Sequence, residues 1–413
     1  MSSKPPRPRA YQHHPIDFNT PIPLDFIRNK TILLTGGASG FGARFFTRWA
    51  SAGATVIMGD INTAAGTELV ARVRAETQNP NLHFIPLDVS SWHSQVAFFR
   101  EAVKLSPHGG IDTVVANAGI NLVKESNEFE RPVIDYQNHP DPPAPGLSTL
   151  DVNLTGTLYT THLALFYLPR NPGSTHCCPE STDIVPNRER DRHILLLGSV
   201  ASILPLPSQI PYCVSKHGVM GLFRTLRTTA PLGSGVRVNI LCPYFTETPI
   251  IGIGGKLILS GAAMADIEHV VDAGTRFVAD SGCVGRSVVI APKLRVRSPL
   301  SSSSAGGEDA EEIVPGIGGA RGVPEERDVY DLAPVAAGDG REVRDIAIWE
   351  FYANDLEDGE MFGRRIIKIQ LMATRIRGWW LFAVDLWVGF VMVIKKIFGS
   401  GMGLGEDKGK KKA

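Results

Sequence analysis

Residues 30–50 read KTILLTGGASGFGARFFTRWA, and the order of their parts decides the fold. Residues 31–35 are a short apolar run of the kind that forms a strand covered on both faces. A glycine cluster, Gly36, Gly37, Gly40 and Gly42, follows at once, and an amphipathic helical stretch follows the glycines. A strand–turn–helix of this composition lets backbone N–H groups approach a pyrophosphate at the positive end of the helix. Gly36, Ser39, Gly40, Phe41 and Gly42 are therefore candidate cofactor-binding residues.

The same rhythm continues outward to Pro292. Short β-branched runs alternate with longer amphipathic stretches, the pattern of repeated βαβ units. Strands are expected at 31–35, 55–60, 83–87, 113–116, 194–199, 237–241 and 287–291, giving a doubly wound parallel sheet of about seven strands. Asp60 closes the second of these, eighteen residues past Gly42, where a dinucleotide-binding unit places a carboxylate for ribose hydroxyls. Asp serves equally well as a helix N-cap. A 2′-phosphate about 4 Å from that carboxylate is repelled by roughly 4 kcal/mol per unit charge at an effective dielectric of about 20, which favours NAD over NADP. Asp88, in Leu87-Asp88-Val89, suits either a contact to adenine or the capping of a turn.

Three further residues carry chemistry. Ser199 closes the fifth expected strand, Tyr212 follows thirteen residues later, and Lys216 lies four beyond Tyr212. On a helix, positions i and i+4 share a face, so the ammonium is expected to lie close to the phenol and lower its pKa toward neutrality. That makes Tyr212 a candidate acid–base group, with Ser199 holding the reacting oxygen.

Together these residues resemble the short-chain dehydrogenase/reductase family, which has a Rossmann fold. The resemblance runs from about Lys30 to Pro292 on TGGASGFG, Asn117-Ala118-Gly119, Asn153, Ser199, and Tyr212 with Lys216. It implies a catalytic set of Asn153, Ser199, Tyr212 and Lys216, with Asn153 holding a water in the proton relay. It also implies cofactor contacts from Asn117, Tyr212, Lys216, Pro243, Thr246 and Thr248. Tyr-Cys-Val-Ser-Lys-His-Gly and the surroundings of Asp60 look like the NAD-dependent 15-hydroxyprostaglandin dehydrogenase group. Two departures stand out. Tyr244 follows Pro243 where the family usually has glycine, and the interval from Asn153 to Ser199 is long because 170–192 is inserted.

The implied activity is transfer of a hydride between a nicotinamide and a secondary alcohol or ketone. Residues 245–273 contain the apolar stretch TPIIGIGGKLILSGAAM; the resemblance implies that this segment closes over the substrate, and an apolar lid points to a hydrophobic or lipid-like substrate. The same residues also suit a plain core helix. A catalytically idle NAD-binding or membrane-associated interaction protein is the alternative function.

With 413 residues, 43% of them hydrophobic, the chain has material for a large core. Lys plus Arg and Asp plus Glu are 42 each, so no net basic field exists to hold nucleic acid. Five cysteines and the absence of an apolar run in the first thirty residues fit folding in the reducing cytosol. His176-Cys177-Cys178 lacks a second pair at zinc-site spacing, so no metal is expected. A homo-oligomer is left open.

Residues 1–26 are Pro-rich and read as a flexible or surface-laid arm, 27–297 as the catalytic domain, and 170–192 as a surface insertion. Residues 298–345 are rich in Ser, Gly, Pro and Glu and read as a linker. Residues 346–374 are expected to be helical. Finally, 375–413 hold the apolar stretch GWWLFAVDLWVGFVMVI and a lysine-rich end. Seventeen residues make about 25 Å of helix against ~30 Å of hydrocarbon, and Asp385 interrupts them. A helix lying on a membrane surface through 378–398, anchored by Trp379, Trp380 and Trp387, suits the pattern, with spanning and packing against protein left open. The last four residues resemble a dilysine retrieval signal, consistent with a cytoplasmic domain attached to a membrane such as the endoplasmic reticulum.

Overall fold

The computed structural model describes residues 16, 18, 20–132, 141–177, 190–297, 343–351, and, in the C-terminal region, 369, 372–373, 376–384, 386–388 and 390–391. Its chain order is β1 Thr31–Thr35, α1 Gly40–Ser51, β2 Thr55–Asp60, α2 Thr63–Thr77, β3 Leu82–Pro86, α3 Trp92–Leu105 and β4 Thr113–Ala116. Then come α4 Val123–Glu130, α5 Ser148–Leu150, α6 Gly156–Tyr167, β5 His193–Leu197, α7 Ile210–Ser234 and β6 Arg237–Pro243. The series closes with α8 Gly252–Ile258, α9 Ile267–Ala279, β7 Ser287–Arg297 and β8 Val343–Glu350.

The strands form one sheet in the order β3-β2-β1-β4-β5-β6-β7-β8. All neighbours are parallel except β7 and β8. Strand order reverses between β1 and β4, the place where such sheets open a crevice beyond their carboxyl ends. The apolar strands are explained by cover on both faces. Phe45, Trp49, Val271 and Phe277 of α1 and α9 fill one face, and Phe98, Phe99, Leu163 and Phe223 of α3, α6 and α7 fill the other.

Several sequence expectations are corrected here. An eighth, antiparallel strand lies at 343–350, in the last residues of the supposed linker and the start of the supposed helical region. Its Ile346-Ala347-Ile348-Trp349 run covers the otherwise open edge of β7. A buried ion pair from Arg286 to Glu350 fixes it there, with Arg286 Nε donating to Glu350 Oε1 at 2.7 Å. Among the described residues of 346–374, helix appears only at 369 and 372–373. The fifth strand stops at Leu197, so Ser199 lies two residues past it, capping a 3-10 turn at Val200–Ser202. The third strand runs one residue earlier than expected, from Leu82 to Pro86, and β7 continues to Arg297.

The N-terminal arm is laid on the surface where it is described. Ile16, Phe18 and Ile22 pack against the core, and Arg276 donates to the Thr20 hydroxyl at 3.1 Å. The insertion is not wholly a surface loop either. Asn171, Asp191 and Arg192 are buried, while 178–189 lie outside the described residues.

Asp191 anchors the amino-terminal edge of the sheet. Its carboxylate accepts from Lys30 Nζ at 2.7 Å and from Arg237 Nε, and all three side chains are out of solvent. The two cations outweigh the desolvation of the Asp191 carboxyl and hold it far below the usual carboxylate range. Asp191→Asn leaves two buried cations short of a counter-charge, so urea unfolding at pH 7 should show a loss of about 3–5 kcal/mol. A carboxyl with a depressed folded pKa contributes stability above its unfolded pKa of ~3.9 and loses it as pH falls. The gap between parent and variant should therefore narrow as the pH is taken below about 4.

Candidate active site

The glycine turn is tied to the far side of the crevice by Asn117. Its Nδ2 donates to Thr35 O at 2.9 Å and to Gly36 O at 2.8 Å, while the Thr35 hydroxyl accepts from the backbone of Asn117 and Ala118 at 3.1 and 3.2 Å. Gly36 has a φ of +67°, and a Cβ there would meet Ala118 Cα at 2.6 Å. A Cβ on Gly42 would lie 2.0 Å from Gly36 O. These two glycines are required by close approach and backbone angle, which leaves bare backbone around the turn for a phosphate group.

Ser39 sits at the N-cap of α1 with an exposed side chain that makes no capping bond, and Phe41 packs against the core. The Asp60 carboxylate reaches back to the turn, accepting from Ala38 N at 3.0 Å and from Asn62 N at 2.9 Å. The cap of α2 is Asn62, whose side chain accepts from Ala65 N, so the helix-cap reading of Asp60 is wrong. Asp88 is exposed and turned to local work, accepting from Ser90 N at 2.9 Å and Ser90 Oγ at 2.6 Å. This is the turn-capping alternative weighed from the sequence.

The second half of the site gathers beyond β4, β5 and β6. Asn153 lies in a π-helical turn, Asp151–Thr155, a local widening of the helix often found at functional sites. Its Oδ1 accepts from Ile120 N at 2.8 Å, and its Nδ2 donates to Ile120 O at 2.8 Å and to Ser215 Oγ at 3.2 Å. Ser215 Oγ donates to Tyr212 O at 2.7 Å. A Cβ on Gly119 would lie 3.3 Å from Asn153 Oδ1 and 3.7 Å from Lys216 Nζ, which shows how tightly these groups converge.

Ser199 lies beside the Tyr212 phenol, close enough to favour its ionised form. Lys216 Nζ lies 5.7 Å from the centre of the Tyr212 ring and donates to Leu197 O at 3.0 Å. Burial is the dominant influence on both ionisable groups. It raises the Tyr212 phenol above its ordinary value, against the smaller opposing effect of Ser199, and lowers Lys216 to about 8. The expected lowering of the phenol by Lys216 is thus corrected: desolvation of the phenolate wins, and the ammonium is directed at a backbone carbonyl. Burial pushes the Cys242 thiol up to about 12, against smaller opposing effects of Ser199, Ser202 and Lys216, so it stays neutral beside them.

Pro243 ends β6, and the chain beyond it returns toward the glycine turn. Tyr244 extends the pairing through its N–H to Ile290 O at 2.7 Å, and its ring packs on the core and edge-on to Phe245. The substitution of tyrosine for glycine is accommodated on the core side. Thr246 and Thr248 are buried, and a Cβ on Gly40 would lie 3.8 Å from both Thr248 and Pro249. Sequence reasoning missed Thr35, Ser215 and the Asn121–Gln209 pair, in which Asn121 Nδ2 donates to Gln209 Oε1 at 3.1 Å beside the site. Ser215 stands between Tyr212 and Lys216, a position that could have drawn notice. Asn121 and Gln209 carry no such signal, being 88 residues apart.

The family model described as short chain dehydrogenase matches residues 30–252, which include every candidate site residue. The 5'-hydroxyaverantin dehydrogenase of Dothistroma septosporum is 32% identical over 288 residues, covering 67% of this chain and 88% of that protein. The NADP-dependent dehydrogenase M3 of a Phoma species is 30% identical, covering 66% of this chain and 78% of that protein. The 15-hydroxyprostaglandin dehydrogenase [NAD(+)] of Mus musculus is 29% identical, covering 54% and 70%.

Lys216 is a buried base whose folded pKa, about 8, lies below its unfolded value of ~10.4. Between those values the unfolded chain binds more protons, so the parent protein gains stability as pH rises from about 8 toward ~10.4. Lys216→Met removes the buried charge and should raise the urea midpoint at pH 7. That gain should shrink across the same alkaline window.

Proposed function

The chain belongs to the short chain dehydrogenase family, and within it we propose an NAD-dependent enzyme that interconverts a hydrophobic secondary alcohol and its ketone. Oxidoreduction of hydroxyl and keto groups is the activity of the family. The observation that carries the closer reading is Ser199 beside the Tyr212 phenol with Lys216 one helical turn on, set at the carboxyl end of the sheet beside the glycine turn. Gly36, Ser39, Gly40, Phe41, Gly42 and Asn117 would hold the nicotinamide dinucleotide on one side, with Pro243, Thr246 and Thr248 on the other. When bound, its nicotinamide gives or accepts the hydride.

Tyr212 moves the proton. Its raised pKa keeps the phenol protonated at neutral pH, ready to protonate a carbonyl oxygen during reduction. In oxidation the same oxygen, after the phenol has lost its own proton, takes the proton of the alcohol. Ser199 donates to the substrate oxygen as charge builds on it, and Lys216 supplies positive potential beneath the phenol. Asn153, with its side chain committed to Ile120 and Ser215, serves to position the backbone around Lys216.

Asp60 supports NAD over NADP, because its carboxylate lies against the glycine turn where a 2′-phosphate would be repelled. The names of the relatives divide between the two cofactors. Both Ser90 bonds fall on Asp88 Oδ1, which leaves Oδ2 for an adenine contact. The hydrophobic character of the substrate is supported by Leu257 and Ile258 of α8, which are exposed rather than built into a core.

The tail supports attachment to a membrane surface. Trp379, Trp380, Leu381 and Phe382 are consecutive and all more than half exposed, with the exposed Arg377 at the start of the same helix, a tryptophan-rich apolar run with a basic flank. Among the described residues no helix is long and apolar enough to cross a membrane. Asp385 and residues 392–398 lie outside the described residues.

Tyr212→Phe keeps the ring but removes the exchangeable proton. NADH binding by fluorescence titration should be nearly unchanged, while turnover falls by at least ~10²-fold. Near-normal turnover would remove this mechanism. In the parent protein NADH should bind more tightly than NADPH, and Asp60→Ala should narrow the difference. Equal affinities in the parent would refute the cofactor assignment.

A further inference from the structure

Among the described residues of the first 353, fourteen large apolar side chains are exposed, and their placement is uneven. Eight lie on the connections that leave the carboxyl ends of β4, β5 and β6, or on the first helix each connection leads into. Leu122 and Val123 follow the Asn117 turn, Leu204 follows the Ser199 turn, and Ile250, Leu257 and Ile258 belong to the segment beyond Thr248. Leu257 is 73% and Ile258 85% exposed. All three connections surround the proposed site, since the carboxyl end of the sheet is where Ser199, Tyr212 and the glycine turn meet. The opposite end of the sheet carries the buried Lys30–Asp191–Arg237 network. Exposed apolar side chains gathered at one end of a domain mark a contact surface.

We infer that this apolar rim seats on a lipid bilayer, so that the site opens toward alcohols and ketones dissolved in the membrane. The inference rests on the proposed function for the identity of the site, and on the chain itself for the identity of the surface. A bilayer suits the rim because the same chain carries a second exposed apolar surface, in the helical run Trp379, Trp380, Leu381 and Phe382. Residues 375–413 hold eight Lys and Arg against three Asp and Glu, which complements anionic headgroups. A protein partner would need a shaped apolar face for each surface, whereas a bilayer covers both. Glycines at 252, 254 and 255 leave α8 few side-chain anchors of its own, and Lys256 is held by Glu247 at 2.7 Å. Leu257 and Ile258 are therefore free to enter lipid while Lys256 stays at the headgroups.

Amide hydrogen exchange of the full chain, with and without vesicles of phosphatidylcholine and phosphatidylserine, tests this without requiring turnover. Exchange at 250–259 should slow about tenfold on adding vesicles, together with slowing at 376–391. Leu257→Ser combined with Ile258→Ser, both at exposed positions, should lose the effect at 250–259 and keep it at 376–391. Slowing confined to 376–391 in the parent overturns the rim's contact while leaving the tail's. Slowing at neither overturns both. Slowing at 250–259 that instead follows protein concentration in the absence of lipid assigns the rim to a second copy and also overturns the inference. Failure of the enzyme reading would show separately, as absent hydride transfer in a protein whose rim is still protected.

Discussion

One side-chain amide holds the two halves of the site in register. Asn117, at the carboxyl end of β4, donates to the last carbonyl of β1 and to the first of the glycine turn, while Thr35 returns the favour through its hydroxyl. The crevice exists because strand order reverses between β1 and β4, and Asn117 spans that reversal. On its β1 side stand the glycine turn and Asp60. On its β4 side Gly119 and Ile120 lead directly to Asn153 and Lys216. Loss of this clamp would uncouple the dinucleotide turn from the acid–base groups even if each remained folded.

Burial then sets the chemistry within that frame. Tyr212 and Lys216 are both pushed toward their neutral forms by desolvation, and the nearby Ser199 only partly offsets this for the phenol. The protein therefore stores a protonated acid beside a base whose charge is weakly held near neutral pH. An active site of this kind is a stability cost, and the interior elsewhere is arranged differently. At the opposite sheet edge, Asp191 is compensated by two cations and buried backbone carbonyls accept from Arg237 and Lys30. The contrast separates groups used for reaction from groups used for anchoring.

Most of this was legible in the sequence where function depends on a local motif. The glycine turn, Asp60, Asn117, and the i, i+4 pair of Tyr212 and Lys216 are short-range patterns, and the structure brings them to one end of one sheet. Three things were not legible. The eighth strand is separated from its partner β7 by more than forty residues of Ser- and Gly-rich chain, so nothing local announced the pairing. Asp191 read as part of a charged surface loop, because its two counter-charges lie 161 and 46 residues away. The direction of the Tyr212 shift was misjudged because spacing reveals a nearby cation but not how much solvent has been removed. Tyr244 looked disruptive for a similar reason: only the fold shows a core on that side to receive its ring.

The most direct measurement is nicotinamide absorbance with the full chain, NAD, and secondary alcohols of increasing chain length. NADH formation, with kcat/KM rising as the alkyl chain lengthens, is the result expected of a hydride-transferring enzyme with an apolar site. Absence of NADH across the series, together with absence of oxidation when NADH or NADPH is supplied with the matching ketones, would contradict it.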